Sequence, residues 1–173
     1  MEAVASILVS EGVSSVTHQR VAEYSRVSRA TLYRHWPSPA DLLYEAMAAV
    51  QEPIFRENHG ALVPWLRAEL RRTVNDIRHP VAIQFIAFLL ERAAHHPEGA
   101  ALRTSLLQRT AIPLRRAVEQ AVVTGELTAA PIPDDLLACL LGPILFRVVH
   151  ADGCADESFV DQVIDLALAP WLP

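Results

Sequence analysis

Residues 17–36, THQRVAEYSRVSRATLYRHW, hold the side chains whose types and spacing suggest a chemistry. Arg20, Arg26, Arg29 and Arg34 face Glu23 alone, so the window is net +3 inside a chain of net charge −5. A local cationic face of this kind is what a polyanion requires. Two helices of about eight residues joined by Tyr24 to Val27 have the lengths of a helix-turn-helix, whose second helix enters the DNA major groove. On that second helix Leu32 and Trp36 lie four apart and are expected inward with Val21 and Val27, leaving Arg29, Ala30, Tyr33 and Arg34 outside. An exposed arginine reads guanine O6 and N7 in a bidentate way, and alanine can touch a thymine methyl. Thr31, Tyr33 and His35 carry hydroxyl or ring N–H donors suited to phosphate oxygens. A solvated arginine face on an ordinary helix pair is the plain alternative.

Other chemistries find little support. His95 and His96 are adjacent and cannot share one helical face, and no second histidine pair stands at ligand spacing. The loop from Asp152 to Glu157 lacks the glycine of a Ca²⁺ loop, and the distal glutamate it would need is Val163. No nucleophile elbow, P-loop or GxGxxG occurs, so neither enzyme activity, a metal nor a cofactor is expected. Cys139 and Cys154 lie outside any metal-ligand spacing, are too few for a disulfide framework, and read as buried thiols. A protein-binding helical module is the remaining rival from another class.

The elements that must position these residues are helical. With 173 residues, 51 % of them hydrophobic and only 6 Gly, the chain is neither disordered nor collagen-like. No run of about 18 apolar residues can span a membrane. The first residues lack a basic-then-apolar order, so a secretory signal is not expected and the cytoplasm is the expected location. All 15 basic residues are arginine, which carries little functional weight by itself. Strand alternation is nearly missing, while helical spacing is frequent. Val4, Ile7 and Leu8 share a face of a first helix closed by Gly12. Thr17 should cap a second helix, Ser28 a third, and Ser38-Pro39-Ala40-Asp41 should open a fourth. Leu62, Trp65, Leu66 and Leu70 space a helix ending near His79-Pro80. Val81 to His95 is apolar nearly all round, as expected of a helix buried mid-bundle. A long helix from Pro97 to about Val123, interrupted by Pro113, precedes helices over Asp134–His150 and Asp156–Leu168. In the last of these, Glu157, Asp161 and Asp165 form an acidic row read as a solvated face.

Val21-Ala22, Val27-Ser28, Thr31-Leu32-Tyr33-Arg34-His35-Trp36 and Asp41-Leu42-Leu43 together resemble the DNA-binding region of the TetR family of transcriptional regulators. A weaker resemblance covers residues 120–170, through Gly125-Glu126-Leu127, Leu141-Gly142-Pro143-Ile144 with Arg147, and Phe159 to Leu168. The resemblance implies an all-α protein: a three-helix helix-turn-helix head over residues 1–45, and a helical bundle for ligand binding and dimerisation over residues 46–173. It implies a transcriptional regulator, by the family's habit a repressor released from a double-stranded DNA operator by a small-molecule effector. Base contacts would fall to Gln19, Arg29, Ala30 and Tyr33, and phosphate contacts to Thr17, His18, Thr31, Tyr33 and His35, with Arg34 also on the outer face. Three departures predict modest affinity. The family's turn glycine is Arg26, its fourth-helix lysine is Pro39, and the chain starts without the basic arm many relatives carry.

The broad apolar stripe of residues 134–150 suits a two-fold interface between two copies. Its expected members are Leu137, Leu141, Ile144, Leu145 and Val148, with Phe159, Val163 and Leu166 from the last helix. A homodimer would set two heads about 34–36 Å apart, one DNA turn. An effector favouring a wider spacing would weaken DNA binding by linkage. Expected pocket walls are Met47, Trp65, Gln84, Phe85 and Phe88.

Overall fold

The computed structural model describes residues 2–48, 53–151 and 155–173, the side chains of Met47 and Ala48 excepted. Among them lie helices α1 (Glu2–Glu11), α2 (His18–Ser25), α3 (Arg29–His35), α4 (Pro39–Ala48), α5 (Leu62–Ile77), α6 (Pro80–His95), α7 (Pro97–Thr124), α8 (Pro133–His150) and α9 (Glu157–Leu168), with a 3-10 turn at Val13–Ser15. The fold is all-α, as the helical spacing implies, and α2, α3 and α4 start where their caps stand. Thr17 Oγ1 accepts from Arg20 N–H at 3.1 Å, and Ser28 Oγ accepts from Thr31 N–H at 3.1 Å. At α4 the cap is reciprocal: Ser38 Oγ accepts from Asp41 N–H at 3.2 Å while Asp41 Oδ2 accepts from Ser38 N–H at 2.9 Å. Each cap satisfies N–H groups that a helix start leaves orphaned.

Two compact units are present, and neither is continuous in sequence: Met1–Gln51 with Pro80–Arg103, and Glu52–His79 with Thr104–Pro173. In the first, Val4, Ile7, Val16, Val21, Leu32, Leu42 and Leu43 form the core, with Trp36 and Phe88 packed against it. Val27, expected inward, is exposed instead. Elements of residues 80–103 are tied to the head by polar bonds. Gln84 Oε1 accepts from Val13 N–H at 2.9 Å, and the Tyr44 hydroxyl donates to the Glu98 carbonyl at 3.0 Å. Arg92 Nη2 bonds Asp41 Oδ1 at 3.0 Å and Glu98 Oε1 at 3.3 Å. Gly99 permits the turn from α6 into α7, because a Cβ there would stand 2.6 Å from the Arg92 carbonyl group.

The second unit is a bundle of α5, α8, α9 and the body of α7 around Leu66, Leu70, Leu114, Val118, Leu140, Ile144 and Ile164. Full burial of such a leucine or isoleucine contributes about 1.5–3 kcal/mol. The stripe on α8 is legible here, since Leu136, Leu137, Leu140, Leu141 and Ile144 are all buried. Caps come from afar as well as locally: Glu126 Oε2 accepts from Leu62 N–H at the start of α5 at 2.9 Å, and Asp156 Oδ1 accepts from Phe159 N–H at the start of α9 at 2.9 Å.

Four expectations are corrected. α6 buries no side chain completely, although its sequence is apolar nearly all round. Apolarity on every face reports what a helix tolerates, not how many neighbours reach it. α7 runs unbroken through Pro113. A proline removes a single helical hydrogen bond, and packed neighbours can hold the helix across it. The acidic row of α9 is not merely solvated: Asp161 meets Arg67 at 2.7 Å and Glu157 meets Arg71 at 3.0 Å, an ionic seam to α5. Cys139 is exposed, not buried, while Cys154 and the adjoining Asp152-Gly153 lie outside the described residues.

The α4 cap makes the head sensitive to acid. The Ser38 hydroxyl, donating to Asp41, is the main reason that this carboxyl lies below its ordinary value, with the Ser38 N–H and Arg92 adding to the effect and burial opposing it. A depressed carboxyl pKa stabilises the fold fully above the unfolded value near 3.8. That contribution disappears as pH falls through the lower folded value. Thermal melts of wild type and Asp41→Asn should therefore differ most at neutral pH, with wild type the more stable, and converge in acid.

Candidate nucleic-acid interface

α2 and α3 are joined by Arg26, Val27 and Ser28. Arg26 has φ 58° and ψ 17°, the left-handed conformation, and its N–H closes α2 on the Ala22 carbonyl. The non-glycine turn identified in sequence is thus held in the conformation that favours glycine, at a cost of about 1–2 kcal/mol. Its guanidinium is exposed and makes no hydrogen bond or ion pair with a described residue. Arg29 and Arg34 are in the same condition. These three supply the positive face.

Arg20 does not join them. Its Nε donates to both oxygens of Glu11 at 3.1 and 3.0 Å, its Nη2 to Oε1 at 2.6 Å, and its Nη1 to Glu23 at 3.3 Å. The same hydrogen bonds hold the Glu11 carboxyl below its ordinary value and push the Arg20 guanidinium above its own. An arginine forked onto one carboxylate and touching a second is a clamp between α1 and α2, not a reading head.

The structure distributes the sequence-chosen residues as follows. Arg29, Ala30, Tyr33, Arg34 and His35 are exposed on α3, and Thr17 and Gln19 are exposed at the start of α2. Gln19 Nε2 donates to Glu23 Oε1 at 3.2 Å, and Thr31, half-buried, shares a 2.9 Å hydroxyl bond with Ser28. His18 is only 3 % exposed. Its ring stacks on Tyr33 with centroids 3.9 Å apart and planes 21° apart, and its Nε2 donates to the Trp36 carbonyl at 2.6 Å. The Trp36 indole in turn donates to Glu45 on α4. The seven-residue α3 is thereby fixed at both ends, with Leu32 buried beneath it.

Sequence reasoning counted Arg26 in the cationic window and as a departure from the family's glycine, but left it out of the DNA-contacting residues, whereas its guanidinium belongs to the exposed face. The signal available was the arginine itself in a window of net +3. The burial of His18 carries no such sign, because a histidine at a helix start is equally at home in solvent.

The matches to known proteins fall on these same elements. Residues 1–46 match the family described as bacterial regulatory proteins, tetR family, and residues 56–167 match the tetracyclin repressor-like C-terminal domain. This chain belongs to the TetR family of transcriptional regulators. It is not an enzyme. An uncharacterized HTH-type transcriptional regulator of Mycobacterium tuberculosis is 28% identical over 170 residues, covering 96% of this chain and 82% of the relative. The crystal structure of the TetR family transcription regulator SCO0332 is similar with a TM-score of 0.68 and 26% identity, covering 99% of this chain and 95% of that one. A complex of SmeT with triclosan shares the fold with a TM-score of 0.62 and 15% identity, covering 99% and 89% of the two chains.

The remaining candidate residues are placed less uniformly. Leu137, Leu141, Ile144 and Val163 are buried within the second unit, whereas Leu145, Val148 and Phe159 are half-buried and pack on its core. Arg147 lies over the Phe159 ring, 3.9 Å from its centroid. Leu166 is 78% exposed. Of the pocket candidates, Trp65 belongs to the second unit, against Phe55 at 5.6 Å between ring centroids. Gln84, Phe85 and Phe88 belong to the first unit. The Met47 side chain lies outside the described residues.

The left-handed turn yields a direct test. Arg26→Gly should raise the stability of the head by about 0.5–1 kcal/mol, the relieved strain exceeding the entropy glycine adds to the unfolded chain. Urea denaturation of the two proteins at neutral pH measures it.

Proposed function

We propose that this TetR-family regulator binds a double-stranded DNA operator as a homodimer, represses the adjoining genes, and is released by a small-molecule effector in the cytoplasm. The observation that carries the DNA reading is the row of Arg26, Arg29 and Arg34 beside Tyr33, all exposed and all on or next to the capped recognition helix. Arg29 and Ala30, with Gln19 and Tyr33, are assigned to base edges. Thr17, Thr31, Arg34 and His35 are assigned to phosphates, and His18, a phosphate candidate by resemblance, is within reach of DNA only through Tyr33. Residues 1–45 form the reading head in this proposal, and residues 46–173 the ligand and dimer body.

The dimer reading rests on α8 and α9. Leu137, Leu141, Ile144 and Val163 support the interface from beneath, and Leu145, Val148, Phe159 and Leu166 reach toward its surface. On α8 the exposed positions Ala138, Cys139, Gly142, Pro143 and Phe146 are small or apolar, which lets a second backbone come close. Phe146 at 64% and Leu166 at 78% exposure are costly to leave in water.

The effector reading rests on the apolar body. Trp65 holds a buried indole N–H with no acceptor among the described residues, and a buried donor left unpaired costs about 1–3 kcal/mol. A ligand with an oxygen acceptor would satisfy it. That SmeT was solved with triclosan makes a small, largely apolar effector the first class to try.

Two measurements test the proposal. With a fluorescent duplex from the upstream region of the gene, Arg34→Ala should lower the slope of log affinity against log salt by about 1.8, two lost phosphate contacts in a dimer at about 0.9 each. Salt-insensitive or absent binding by the wild type would instead favour a protein-binding helical module. By light scattering, Phe146→Asp should be a folded monomer, whereas a dimeric mass would remove α8 from the interface.

A further inference from the structure

We infer that His18 is a positioning residue for DNA recognition, acting through Tyr33 without touching DNA; this rests on the DNA-binding reading above. α3 has seven residues, fewer than an isolated helix needs to persist in water. Of its outward side chains, Tyr33 is 54% exposed and its ring is held by a stacking neighbour. Arg29 and Arg34 have no described partner.

The imidazole of His18 makes two contacts at once. One face lies on the Tyr33 ring at 3.9 Å. Nε2 lies 2.6 Å from the Trp36 carbonyl at the C-terminal end of α3, and since a carbonyl only accepts, that nitrogen carries the proton. A carbonyl at this position has no partner within its own helix, so the bond satisfies a group that α3 leaves open. With its ring buried and its donor engaged, His18 limits the directions the Tyr33 phenol can take. The phenol thus meets DNA already oriented, and little rotamer freedom is lost on binding.

The test is a double-mutant cycle. His18→Gln removes the ring while keeping an N–H donor for the Trp36 carbonyl, and His18→Val replaces it if the Gln variant is unfolded by circular dichroism. His18→Gln should weaken binding to the upstream duplex by about tenfold, Tyr33→Ala should weaken it by a similar factor, and the double variant should bind no worse than Tyr33→Ala alone. Losses that multiply in the double variant, or a folded His18 variant with wild-type affinity, would overturn the inference. A second readout needs no DNA. The Tyr33 ring proton resonances should shift on His18→Gln while those of Tyr44 stay in place, and unmoved Tyr33 resonances would refute the stack in solution. If wild type binds no duplex at all, the DNA reading fails, and these resonances alone then decide whether His18 orients Tyr33.

Discussion

α3 cannot hold its own orientation, and that constraint governs the head. Seven residues provide too few backbone hydrogen bonds to offset the cost of nucleating a helix, so the segment depends on groups outside it. Ser28 closes its first turn, Leu32 anchors its middle in the core, and His18 with Trp36 closes its end. Each of these interactions lies on the inner or terminal side. The outer side is left with Arg29, Ala30, Tyr33 and Arg34, whose side chains are available because the helix does not need them.

The same division appears in the charges. Arg20 and Arg34 are chemically identical, yet one is forked onto Glu11 and the other faces solvent. A guanidinium already paired with a carboxylate has little attraction left for phosphate, so a count of arginines overstates the positive face unless the partners are known. The turn compensates in part, since Arg26 adds a charge at the place where a glycine would relax the backbone. Backbone strain and electrostatic reach are thus combined at one residue.

In the second unit, a wide apolar stripe is satisfied mostly from within. α8 gives Leu136, Leu137, Leu140, Leu141 and Ile144 to the core, and α5 meets α9 through the ionic seam of Arg67 and Arg71 with Asp161 and Glu157. What remains outside, Phe146 and Leu166 among small residues, is a narrower apolar surface than the stripe suggests. Residues 80–103 join the head and not this bundle, through Arg92 with Asp41 and Gln84 with Val13. Bonds between residues so far apart leave no periodic trace along a chain.

Local chemistry was readable without coordinates. Thr17, Ser28 and Ser38 announce helix starts because their side chains bond backbone groups within three residues. Gly12 and the 3.6-residue spacing of leucines and valines delimit most helices for the same local reason. The motif from Val27 to Trp36 also named the family, since its residue types follow from the turn and groove geometry it must serve. Only the tertiary structure decided which partner each side chain meets: His18 with Tyr33, Arg20 with Glu11, Asp161 with Arg67, along with the partial burial of α6 and the exposure of Cys139. Those outcomes depend on groups brought together from distant positions, and neither periodicity nor composition encodes distance in space.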